Sequence, residues 1–127
     1  MKIDVKISTT GGPITVQLVF GFACVGSYEA TLYDSNDQNG NTFQTGASTD
    51  PSPDVVSVPG APASLVNRTL LIDASLVPPA PPDMVSITGQ VYQDGNAIPG
   101  AALTSKASVD PGQKATPMLF FRFTSSS

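Results

Sequence analysis

Between residues 84 and 93, Val85, Ile87, Gly89 and Val91 alternate with Ser86, Thr88, Gln90 and Tyr92. A period of two sorts the two sets onto opposite faces of an extended chain, so this stretch predicts a half-buried β-strand. Asp94-Gly95 follows, a pair that accepts the positive φ of a tight turn, and the chain is apolar again at Ile98, Ala101 and Leu103, around Pro99-Gly100. Strand, turn and strand predict a hairpin.

The same period organises the rest of the chain. Ile3, Val5 and Ile7 alternate with Lys2, Asp4 and Lys6, a strand whose lysines suit a sheet edge. Past Thr10-Gly11-Gly12-Pro13, Ile14, Val16, Leu18 and Phe20 alternate with Thr15, Gln17 and Val19; this second strand extends toward Cys24, and Val19 marks burial on both faces near its end. After Gly26, Tyr28, Ala30 and Leu32 alternate with Glu29, Thr31 and Tyr33 in a third strand. Residues 34–41 read as a hairpin tip with Asn39-Gly40 as its turn pair and residues 42–44 as the return. Pro51, Pro53, Pro59 and Pro62 predict a long loop over 46–62 that holds one short edge strand at 54–58. Leu70, Leu71 and Ile72 place a strand within 65–76, where a short helix is the competing reading. Pro78, Pro79, Pro81 and Pro82 predict a polyproline-II segment crossing one end of the fold. The last strand puts Leu119, Phe121 and Phe123 on one face and Phe120 and Arg122 on the other, and residues 125–127 are expected to form a disordered tail.

Composition agrees with this reading. Only 13% of residues are charged, yet 40% are hydrophobic, enough for a core. Ser and Thr make up about a fifth of the chain and Glu29 is its single glutamate, so strong helix formers are scarce. A chain of 127 residues suits one domain. The expected fold is all-β: a two-sheet antiparallel β-sandwich of about seven to nine strands, immunoglobulin-like or prealbumin-like, spanning residues 1–124. Leu32-Tyr33-Asp34 followed by Ala47-Ser48-Thr49-Asp50-Pro51 is echoed by Val91-Tyr92-Gln93 followed by Ala107-Ser108-Val109-Asp110-Pro111, which makes 1–64 and 65–124 candidate halves of an internal duplication.

The run Ile87-Thr88-Gly89-Gln90-Val91, then Asp94-Gly95, then Ile98-Pro99-Gly100-Ala101 resembles the opening hairpin of the prealbumin-like, carboxypeptidase-regulatory-like β-sandwich. That family's pattern reads roughly I-x-G-x-V, D-x-x-G, P-I-P-G-A. The likeness covers residues 84–103, and in the family the motif opens the domain, whereas here only residues 102–127 follow it. The resemblance implies a hairpin of that kind inside a sandwich and a structural or adhesive role, with no catalytic residues to carry over.

The net charge of −4 comes from scattered Asp residues, and Lys2, Lys6, Arg68, Lys106, Lys114 and Arg122 form no basic run, which argues against nucleic acid as a partner. No stretch approaches the roughly 20 apolar residues that span a bilayer. Residues 1–6 alternate charged with apolar side chains where a signal peptide would be continuously apolar, although the Lys- and Glu-poor, Ser/Thr/Asn/Pro-rich composition suggests an extracellular or exported protein. Localisation stays open. Cys24 stands alone, which excludes an internal disulfide, and its apolar neighbours predict a buried thiol.

Without histidine, Ser-His-Asp and Cys-His arrangements are excluded, and a single cysteine excludes the usual zinc sites. The pairs Asp34 with Asp37 and Asp50 with Asp54 fall in turn sequences, where water keeps carboxylates ordinary. Ser105 and Lys106 are adjacent on a strand and therefore point to opposite faces. Asp34, Asn36, Asp37, Asn39 and Asn41 gather the oxygen ligands that calcium takes, without EF-hand order; a solvated hairpin tip is the competing reading. The chain has no Trp, so Tyr28, Tyr33, Tyr92 and Phe120 are the candidate platforms for a sugar, and Tyr33 and Tyr92 lie on the polar faces of their strands. The expectation is a protein that is not an enzyme: a non-catalytic structural or protein-interaction module for adhesion, assembly or loop display, with a protein partner or a second copy of itself. The alternative is a carbohydrate-binding module, with or without calcium; no other cofactor is expected.

Overall fold

Each stretch with a period of two becomes a strand in the structure, a computed structural model that describes residues 1–22, 24–48, 53–78, 83–110 and 112–126. Among these residues the elements are β1 (Lys2–Ile7), β2 (Ile14–Gly21), β3 (Val25–Tyr33), β4 (Gly40–Ser48), β5 (Asp54–Ser57), α1 (Pro62–Leu65), β6 (Thr69–Val77), β7 (Met84–Gln93), β8 (Asn96–Ser108) and β9 (Met118–Ser125). They pair into two sheets, ordered β1-β9-β6-β3-β4 and β5-β2-β7-β8. A sheet with one apolar face must cover it, and the two faces here cover each other as an all-β sandwich. Val5, Ile7, Ala30, Leu32, Leu70, Ile72, Leu119, Phe121 and Phe123 of the first sheet join Ile14, Val16, Leu18, Val56, Ile87 and Val91 of the second in one buried cluster. The packing is close enough to require Gly89 on β7, where a Cβ would lie 2.9 Å from the Phe121 ring reaching across from β9.

Several local expectations hold. Lys2, Asp4 and Lys6 are exposed on β1, an edge strand, and β5 is the edge of the other sheet. Asp94 and Gly95 have φ of 54° and 78°, the left-handed pair that a two-residue hairpin turn requires, and Gln93 pairs with Asn96 across it. The hairpin resembling the prealbumin-like motif therefore lies at one side of the second sheet, as β7 and β8. Both sheets draw strands from residues 1–64 and from residues 65–124.

Other expectations need correction. The sandwich is not wholly antiparallel: β1 runs parallel to β9, from Lys2 opposite Phe120 to Ile7 opposite Ser125. Strands joined by a tight hairpin must be antiparallel, but β1 meets the last strand of the chain, where no connection dictates direction. That same pairing reaches the expected tail: Ser125 belongs to β9, and the Ser126 N–H donates to Ile7 O at 2.9 Å. Ser127 lies outside the described residues. Val19 is 42% exposed, because the outer face of β2 is left to solvent. The return from the 34–41 tip runs through Ser48, well past residue 44; the strand expected within 65–76 is β6, from Thr69 on, and only Leu65 belongs to the helix α1. Thr49, Asp50, Pro51, residues 79–82 and Pro111, with the polyproline-II expectation and part of the repeat echo, fall outside the described residues.

Glutamine side chains take the place of peptide groups at three joints. Gln44 on β4 donates to Val55 O at 2.9 Å and accepts from Ser57 N–H at 3.3 Å, bridging to the outer edge of β5. Its amide nitrogen also donates to the Tyr28 hydroxyl at 3.2 Å. Gln93 accepts from Ser8 N–H at 2.9 Å and donates to Ser8 O at 2.8 Å, tying the β1–β2 connection to β7. Gln90 sits where the β7–β8 register shifts, its amide nitrogen 2.9, 3.1 and 3.3 Å from the carbonyls of Val91, Ile98 and Ala101. A bulge frees backbone carbonyls, and this side chain satisfies them.

Candidate functional site

The tip after β3 is built around one carboxylate. Asp34 Oδ1 accepts the N–H groups of Asn36 at 3.1 Å and Gln38 at 3.2 Å, and Oδ2 accepts from the Asn39 side-chain amide at 2.9 Å. The Asn39 amide first, and then the Gln38 N–H, hold the Asp34 carboxyl below the ordinary carboxylate value. Asp34 thus folds the loop back on itself, as Asx turns do. Asp37, at φ 55°, turns its carboxylate to Arg122, 3.7 Å away. Asn41 lies in β4 opposite Leu32, and Asn36 is exposed at the tip. The five candidate calcium ligands are therefore divided among a loop organiser with its amide partner, an ion-pair partner, an exposed amide and a strand residue. Among the described residues no group of three or more His, Cys, Asp or Glu is placed to hold a metal.

The tyrosines part company. Tyr28 is core. Tyr92 alternates with buried Val91 and so faces outward from the β5-β2-β7-β8 sheet, its hydroxyl donating to Gln17 Oε1 at 3.3 Å. Tyr33 alternates with buried Leu32 and faces outward from the other sheet, on the opposite side of the sandwich. The two form no joint platform.

Tyr33 instead shares a groove with Phe120. In the β1-β9-β6-β3-β4 sheet, Tyr33 is opposite Thr69 and Thr69 opposite Arg122, while in the next outward row Leu71 is opposite Phe120 and Phe120 opposite Lys2. These rows and the Asp37 tip enclose an open groove of about 530 Å³ lined by Met1, Lys2, Tyr33, Asp37, Thr69 and Phe120. Its volume falls in the range of roughly 300–1,000 Å³ typical of small-molecule sites. Gly40, opposite Tyr33 on β4, makes room for the ring, since a Cβ there would come within 2.7 Å of it. Thr69 on the groove floor is 4% exposed, and its Oγ1 is buried without a hydrogen-bond partner. The signal that sequence reading lacked is register: Lys2, Thr69 and Phe120 come from three strands that only the sheet order makes neighbours. The hint in the sequence is the unbroken apolar run Leu70-Leu71-Ile72 after Thr69; all four residues are buried, so the outer face of β6 is also covered here.

A second, smaller cavity of about 210 Å³ lies farther along the same sheet, lined in part by Glu29, Asp73 and Lys114, with Glu29 directly opposite Asp73. Cys24 is buried, its thiol donating to Ser86 O at 3.7 Å. No described helix is long and apolar enough to cross a membrane. Searches with this chain match no family model, no curated protein and no solved structure.

Proposed function

We propose that the chain is a non-catalytic interaction module that recognises its partner through the groove on the outer face of the β1-β9-β6-β3-β4 sheet. The observation that carries this reading is the pairing of two aromatic side chains, Tyr33 and Phe120, with Lys2 and Asp37 at one concave surface. Aromatic anchors in a polar rim are what binding surfaces use. The topology is compatible with an immunoglobulin-like relative in which a hairpin is added, since β1 lies parallel to the last strand at one edge; the β7–β8 hairpin keeps the prealbumin-like alternative open. A displayed peptide library and a glycan array, probed with the wild type and with Tyr33→Leu combined with Phe120→Ser, test the proposal. Binders lost in a variant that still melts cooperatively support it; binders untouched by the change, or none at all, refute it.

A second reading is favoured by the same two rings: a carbohydrate-binding module, since sugars stack on flat aromatic faces. In its calcium-assisted form the ion would draw on the 34–41 tip, where Asp34 would have to exchange its present hydrogen bonds for metal. A melt with calcium and then with EDTA decides on the ion, because a ligand held only by the folded state raises its stability. An upward shift that Asp34→Ala with Asp37→Ala abolishes supports calcium, and an unchanged melting temperature removes it.

A further inference from the structure

We infer that the groove binds a saccharide, one pyranose ring lying against Tyr33 and Phe120 with a sugar hydroxyl bonded to Thr69 Oγ1; this rests on the groove being the recognition surface. Three observations point to that ligand. The first is the pair of rings, with Tyr33 given its place by the missing side chain of Gly40. Such faces take the C–H side of a sugar ring, and a platform set in advance loses little entropy on binding. The second is charge: Lys2 stands on one strand, while Asp37 is 3.7 Å from Arg122. Such a rim offers donors and acceptors together, which matches hydroxyl groups that do both.

The third is Thr69. A buried hydroxyl without a partner is destabilising, and native folds retain few of them. Thr69 lines the groove, and one step about χ1 moves its hydroxyl between staggered positions. A purely aliphatic occupant would cover the rings and leave that hydroxyl unpaired; a sugar hydroxyl, which both donates and accepts, supplies the missing bond.

The test is an amide-shift NMR titration of the full chain with maltohexaose, cellohexaose, xylohexaose and chitohexaose. The expected result is saturable shifts at Lys2, Tyr33, Thr69 and Phe120 with at least one of the four. Tyr33→Leu, which retains apolar bulk, should weaken binding about tenfold, the equivalent of about 1.4 kcal/mol. Thr69→Val should raise the melting temperature while weakening the same saccharide; a hydroxyl with a structural role only would not change affinity, and unchanged affinity in this variant overturns the inference. It is equally overturned if none of the four moves the groove amides, or if shifts fall on the Tyr92 face instead. Peptides selected from the displayed library separate the two claims: if they shift the groove amides where the sugars do not, the saccharide is wrong and the recognition surface stands. If neither does, both fall.

Discussion

Replacing Gln44 by Ala should cost more than a solvated glutamine on an edge strand normally would. Gln44 makes three hydrogen bonds, to Val55 O, Ser57 N and the Tyr28 hydroxyl. The first two lie at exposed positions where water can substitute, so each is worth about 0.5 kcal/mol. The third ends on a side chain that is 4% exposed and contributes about 1 kcal/mol. The sum is about 2 kcal/mol, which for a domain of this size lowers the melting temperature by about 8 °C. A thermal melt by circular dichroism measures it, and a double-mutant cycle with Tyr28→Phe isolates the buried bond. Tyr28 supplies a second readout: burial chiefly, then the neighbouring Asp54, push its phenol above 10.0 against the pull of the Gln44 amide, so Gln44→Ala should push it further. A phenol raised in the folded state contributes stability below its ordinary value that is lost as pH climbs through the folded one, so the alkaline limb of the variant's stability should shift. Opening the β5 edge should also promote association on standing, seen by light scattering. An Ala variant that melts with the wild type and shows additive behaviour with Tyr28→Phe would refute the bridging role.

Other outcomes follow from the same geometry. Gly89→Ala drives a methyl to within 2.9 Å of Phe121 and should destabilise by about 1–3 kcal/mol, read from urea midpoints. Gly95→Ala meets no neighbour but keeps φ at 78°, so its cost is backbone strain alone, about 1–2 kcal/mol on the same measurement. The lowered Asp34 value means that its contribution is complete above the ordinary carboxylate value and fades as pH falls through the folded one. The amides of Asn36 and Gln38 should therefore lose exchange protection below about pH 4, and Asp34→Asn should flatten that dependence.

What the sequence makes legible here is local. Alternation located the strands because burial of one face is written into successive residues, and Asp94-Gly95 located its turn because few pairs accept that backbone. The parallel course of β1 was not legible, since it depends on a partner more than a hundred residues away. Nor was Thr69: its outward position looks polar and solvated until Tyr33 and Phe120 arrive from strands on either side. The 34–41 tip shows the opposite failing. Its composition advertises oxygen ligands, but composition does not say whether those oxygens point outward or, as at Asp34, back to the loop's own N–H groups. Gln44, Gln90 and Gln93 are the least visible of all, because an amide standing in for a peptide group leaves no pattern along the chain.

The place of β9 has a consequence for synthesis. Residues 118–125 enter the sheet between the first strand and the sixth, and carry Leu119, Phe121 and Phe123 into the centre of the core. A nascent chain halted before them has two open strand margins and a core lacking three of its largest members. Folding on the ribosome must then wait for residues 118–125 to clear the exit tunnel, and a stop upstream of them yields a sticky, protease-sensitive product rather than a smaller working domain.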